Sequence, residues 1–248
     1  ERCAELIEEG FLDRYLEIGK YFLLTKNRSA KSWLENAGLA GLADAYTLLG
    51  HAYELALINP VRDEKTANDY YLKAAEMKSI RAMLIVAEKL IVSQPDLAAA
   101  QLKMAASRGS IHAIVNLSNF YGTGPGARKN AYFWSLVALA VVTHGSPTDP
   151  SGLDFDATSA MSKAGVIVPG KKFLAFDGLS SEDVTEGWSK FSVEQRVKNL
   201  EQLISSGERQ KIQGKAAKYY DSMISDSIKW LGSKGVTVIA EQYGQNAN

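Results

Sequence analysis

Four stretches of the chain share one apolar pattern: YLEIGKYF (15–22), YTLLGHAY (46–53), MLIVAEKL (83–90) and IVNLSNFY (114–121). In each, a large apolar residue is followed at once by a small one, and three positions later by another large one. The triples are Ile18-Gly19-Phe22, Leu49-Gly50-Tyr53, Val86-Ala87-Leu90 and Leu117-Ser118-Tyr121, so the small residue returns at spacings of 31, 37 and 31. A second pattern follows each of these. Ala30-Trp33-Ala37, Ala67-Tyr70-Ala74, Ala98-Gln101-Ala105 and Ala131-Trp134-Ala138 set small and bulky residues at offsets of three and seven, one face of a helix. Each unit therefore reads as two helices, with boundaries at about 4–41, 42–78, 79–109 and 110–145. A Gly inside a helix costs ~1 kcal/mol against Ala. Close approach of the second helix at that point offsets the cost.

The connections between units, such as NAGLAG (36–41) and SRGS (107–110), are short, with Gly41 and Gly109 placed to end a helix. Those within a unit vary in length, so they belong at the surface, where insertion is tolerated. YGTGPGARKN (121–130) fills the same slot as ELALINPVRDEKT (54–66) and IVSQPD (91–96). It is therefore expected to be a turn. A phosphate-binding loop would need Gly-Lys-Ser/Thr where this chain has Ala127 and Arg128, and a dinucleotide fingerprint would need a strand where residues 111–121 show helical spacing.

The stretch AKSWLENAGLAGLADAYTLLGHAY (30–53) and the loop YGTGPGARKNA (121–131) resemble Sel1-like repeats, a branch of the tetratricopeptide superfamily. The resemblance covers about residues 4–145. It departs from the pattern in the third unit, at Ala87, Leu90 and Gln101. It implies an all-α fold, an α/α superhelical solenoid of helix pairs closed by a C-terminal helical cap.

Beyond residue 145 the pattern changes. AYFWSLVALAVVTH (131–144) is apolar nearly all round, and the chain after it is expected to cover its far side. Residues 146–190 read as a long loop or flap, with a short helix over 156–165 and a hairpin or apolar flap over 166–176. Residues 191–248 read as capping helices over 192–205, opened by a Ser192/Gln195 capping box, and over 207–232, followed by a flexible tail from Gln242.

Composition narrows the function. Lys and Arg number 28 and Asp and Glu 28, so no general pull toward nucleic acid or an anionic membrane is expected. The longest apolar run, Leu136 to Val142, falls short of the ~18–20 residues that span a bilayer. The single Cys3 excludes an internal disulfide framework and a multi-cysteine zinc site. The three histidines, His51, His112 and His144, show no metal-ligand spacing and read as surface polar residues. His144, Ser146 and Asp149 are triad residue types in a proline-broken loop, without the strand-turn-helix support a nucleophile needs. No catalytic residue, cofactor or metal is expected. The chain begins at Glu1 without a Met or a signal-like segment, which reads as a trimmed start and leaves periplasmic, secreted and cytoplasmic locations open.

The expected partner is another protein or peptide. In tetratricopeptide-like stacks, first-helix residues facing away from the second helix line a concave groove. Here those positions are Asp13, Asp44, Arg81 and His112 in one ladder and Lys20, His51, Glu88 and Asn119 in another, joined by Thr47 and Glu54. The resemblance implies a scaffold or adaptor of bacterial type, of the kind that assembles signalling, envelope or degradation complexes. The alternative is a peptidoglycan- or polysaccharide-associated binder or enzyme of the bacterial envelope. That reading would predict aromatics clustered with two carboxylates in the groove. A third reading is a structural subunit that works through its convex face or the 146–190 flap.

Overall fold

The computed structural model describes residues 12–122, 127–144 and 190–233, and these are helical, with no strand among them. The helices are α1 (Leu12–Leu24), α2 (Ala30–Leu39), α3 (Ala43–Glu54), α4 (Glu64–Glu76), α5 (Ile80–Leu90), α6 (Pro95–Ser107), α7 (Ile111–Phe120), α8 (Arg128–His144), α9 (Lys190–Glu201) and α10 (Ser206–Ser233). They fall into two compact units. The first holds the described residues up to Leu90, the second those from Ile91.

In the first unit α1 packs on α2 and α3 on α4, while α2 meets α3 and α4 meets α5. The first helices also touch one another, α1 with α3 and α3 with α5. The tightest contacts lie where the sequence places its small residues. A Cβ on Gly19 would come within 2.5 Å of Leu34 Cδ2, and one on Gly50 would lie under 3.0 Å from three atoms of the Tyr71 ring. Gly38 allows the same approach to the Tyr46 ring. The side chain met is the one following the expected bulky residue: Leu34 rather than Trp33, Tyr71 rather than Tyr70. Leu34 and Tyr71 are fully buried, whereas Trp33 and Tyr70 are half-buried. Tyr70 lies stacked between Tyr46 and Tyr53, with ring centroids 6.0 and 5.6 Å away, and donates to Glu35 Oε1 at 2.7 Å.

The second unit packs α6 on α7 and α7 on α8, and α8 is then covered by α9 and α10. Ser118 of α7 meets Ser135 of α8, their hydroxyls 3.0 Å apart, and Ser135 donates to the Ala131 carbonyl. The apolar circumference of α8 is accounted for by its partners. Ala131 and Tyr132 form a core with Val197, Leu200 and Ile204, on which Leu136, Leu139 and Ile212 close. Tyr132 donates to Glu201 Oε1 at 2.9 Å and accepts from Gln213 Nε2 at 3.1 Å, linking all three helices through one hydroxyl.

One cap ends α2, α4 and α6. The last residue of the turn has positive φ, +99° at Gly41, +71° at Lys78 and +84° at Gly109. The next amide then reaches back to the carbonyl of Ala37, Ala74 or Ala105, closing a Schellman motif. Gly122 also has positive φ, +59°, and donates to the Asn119 carbonyl, so the loop after α7 opens in a left-handed turn. Its residues 123–126 lie outside the described residues, as do the expected elements at 156–165 and 166–176, the tail from 242, and Cys3. The expected Ser192 capping box does not fall at the start of α9. The helix begins at Lys190, two residues earlier, so Ser192 sits inside it.

Candidate functional site

The polar residues of α3 fall at Asp44, Thr47, His51 and Glu54, spacings that stack on one face of a helix. α4 and α5 close on that face. Ser79, at the entry to α5, donates to Asp44 Oδ1 at 2.6 Å and accepts from the Ala82 amide at 3.2 Å, capping the helix. With its proton committed to Asp44, Ser79 also accepts from Thr47 Oγ1 at 3.2 Å.

Tyr71 is the hub below. Its hydroxyl lies 2.8 Å from Glu54 Oε2 and 2.9 Å from His51 Nδ1. Lys89 donates to Glu54 Oε1 at 2.8 Å. A carboxylate can only accept, so Tyr71 gives its proton to Glu54 and its oxygen accepts from His51. The neutral imidazole therefore carries its proton on Nδ1.

Burial, aided by the Arg81 and Lys89 charges and opposed by Glu54, pushes the His51 pKa down from 6.5 to about 3. Burial acts to raise Glu54. The hydrogen bonds from Lys89 and Tyr71 outweigh it and hold the carboxyl below its ordinary value. Burial, with Glu54 adding to it, raises the Tyr71 hydroxyl. Glu88, half-buried on α5, is pushed up to about 7 by burial and by Glu54, with Lys89 pulling the other way. Imidazole, hydroxyl and carboxylate are lined up as in an acid–base relay, yet they hydrogen-bond to one another, with imidazole and hydroxyl held neutral and the carboxylate ionised. The arrangement ties α3, α4 and α5 together.

The ten residues expected to line a groove separate by burial. Thr47, His51, Glu54 and Arg81 are only 0%, 6%, 8% and 2% exposed. The reading of His51 as a surface histidine does not hold, because Tyr71 and α5 cover it. Asp44 and Glu88 are partly accessible. Lys20 pairs with Glu17 of its own helix at 2.7 Å. Asp13 belongs to α1, and its side chain is outside the described residues.

His112 and Asn119 lie on α7 in the second unit, His112 half-buried and Asn119 exposed. Asn119 Oδ1 accepts from Arg196 Nη1 of α9 at 2.7 Å, and Arg196 Nη2 donates to the Ser118 carbonyl. Tyr71, Ser79, Lys89 and Arg196 are the participants that sequence reasoning missed. The signal for Tyr71 was Gly50, whose missing side chain makes room for it. Among the described residues, no three His, Cys, Asp or Glu side chains group as a metal site, and no helix is long and apolar enough to cross a membrane. No protein-family model matches the chain, and no curated protein matches it significantly.

Proposed function

We propose that the chain is a non-catalytic interaction scaffold, a Sel1-like, tetratricopeptide-related α/α solenoid that holds a partner protein or peptide against the polar faces of its first helices. The observation that carries this reading is one packing contact made three times: Gly19 on Leu34, Gly50 on Tyr71 and Ser118 on Ser135. The same left-handed cap after α2, α4 and α6 supports it. Helix pairs of this design leave an apolar face for the next pair, and stacked first helices present a continuous surface to a ligand.

The buried network of α3 fixes that surface and does not itself meet the partner. Lys20, Asp44 and Glu88 remain accessible on the first-helix face of the first unit. Their mixed signs favour a partner of matched charge pattern over a uniformly charged one. Recovery of interactors from the native host by the full chain and by a Lys20→Glu/Glu88→Lys variant of unchanged helicity tests the proposal. The variant is expected to lose interactors that the unaltered chain retains, and equal recovery by both would remove the basis for groove binding. Arg81 is unsuitable as a probe, because truncating a buried cation disturbs the fold itself.

A further inference from the structure

The half of α10 nearest its start carries Lys211, Lys215 and Lys218 at spacings of four and three, all exposed and on one face. Among the described residues none of the three is in an ion pair. The neighbouring carboxylate Glu208 is taken by Lys129. In a chain of balanced charge this is a local positive strip.

Beside the strip, a cleft of ≈ 320 Å³ opens between α8 and α10, walled mostly by Leu136, Ala140, Ala216, Ala217 and Tyr220, with His144, Gln213 and Asp221 also lining it. On the helix surface Ala217, Gly214 and Asp221 lie between cleft and lysines, so one carboxylate shares the lip with two small residues. Among the described residues Gly214 has no atom within 4 Å of where a Cβ would stand, so none of them calls for a glycine there. A helix-interior glycine costs ~1 kcal/mol, and an open lip of Gly214 and Ala217 lets a second backbone come close.

We infer that this face of α8 and α10 is a docking site for an acidic amphipathic helix of a partner protein. Its apolar side chains enter the cleft and its carboxylates meet Lys211, Lys215 and Lys218. A largely apolar slot, with Asp221 on its lip and three cations beyond, matches a helix whose Leu-type anchors at i, i+3 and i+4 enter the slot and whose acids lie on the side that reaches the lysines. Bulk polyanions would use the lysines and leave the cleft unfilled. The site lies wholly in the second unit and does not depend on the first-helix faces proposed above.

The test uses the full chain and a fluorescein-labelled synthetic 18-residue helix with Leu at i, i+3, i+4 and i+7 and Glu on the flanking positions, read by anisotropy. Binding is expected, weakening about tenfold in Lys211→Glu/Lys215→Glu/Lys218→Glu and on raising salt from 50 to 500 mM. It should weaken comparably in Ala217→Trp, which fills the cleft and leaves the charges in place. A matching peptide with Ala for Leu separates the two contributions and is expected to bind at least tenfold more weakly. Equal binding of both peptides, or no effect of Ala217→Trp, would overturn the proposal. So would retention on phosphatidylserine vesicles or single-stranded DNA without binding of the Leu/Glu peptide, since that would mark a site for polyanions.

Discussion

Gly50 and Gly214 both lie inside helices, and their surroundings give substitution opposite signs. At Gly50 a methyl group would press into the Tyr71 ring, whose hydroxyl is fixed by His51 and Glu54, so the ring has little room to yield. Gly50→Ala is expected to destabilise by about 1–3 kcal/mol despite Ala's better helix propensity. At Gly214 there is open space, and Gly214→Ala should stabilise by about 0.5–1 kcal/mol. Guanidinium melts of the two variants check both signs. The ionisable residues also oppose each other. His51 stays neutral in the fold down to about 3 and takes up a proton near 6.5 when unfolded, so its contribution is lost as pH falls below 6.5. Glu88 holds its proton up to about 7 in the fold and up to 4.5 when unfolded, so it disfavours the fold as pH rises through that window. Glu88→Gln is accordingly expected to raise Tm relative to the unaltered chain more at pH 8 than at pH 5. Equal shifts at the two values would contradict a desolvated Glu88.

At the scale of elements, the ends of α2, α4 and α6 show what is legible in sequence. Gly41 and Gly109 announce a left-handed cap because glycine alone adopts that conformation without strain. Lys78 takes the same conformation between them, and its residue type gives no warning, so only the hydrogen bonds of Lys78 and Ser79 to the α4 carbonyls reveal it. Lys78→Gly should relieve that strain and stabilise by about 1 kcal/mol, measurable as a rise in the denaturation midpoint. Among the described residues the helices and their pairing were readable, because apolar periodicity is local. Which neighbour of a bulky position turns inward was not, since Trp33 and Leu34, or Tyr70 and Tyr71, differ by one step of the helix and the facing helix decides. The candidate site divides along the same line. The spacing of Asp44, Thr47, His51 and Glu54 declares one face of α3. Its partners Ser79 and Lys89 each lie 35 residues beyond the residue they bind, and nothing local links them.

For the whole molecule, the separation into two compact units and the distribution of buried charge lead to one further expectation. His51, Glu54 and Glu88, with Arg81 and Lys89 around them, all belong to the first unit. Among the described residues of the second unit, Tyr132 and Tyr219 are both pushed up to about 12, mainly by burial, where they are silent in acid, and Glu208 is held low by hydrogen bonds from Lys129 and Ser205 at the surface, where solvent screening keeps its effect small. Acid below pH 4.5 should therefore weaken the first unit more than the second: there Glu88 is protonated in either state, while His51 and Glu54 still favour proton uptake on unfolding. Each unit holds a tryptophan reporter, Trp33 against Tyr15 and Phe22 in the first, Trp134 against Phe133 and Tyr219 in the second. Subtracting the fluorescence of Trp33→Phe and of Trp134→Phe chains from that of the unaltered chain isolates each signal during guanidinium unfolding. Moving from pH 4.5 to pH 3 is expected to lower the Trp33 midpoint more than the Trp134 midpoint, which is incompatible with a single two-state transition. If both midpoints moved together by the same amount, the buried network would be stabilising the chain as one cooperative body, and the placement of its charges in one unit would have no separate consequence.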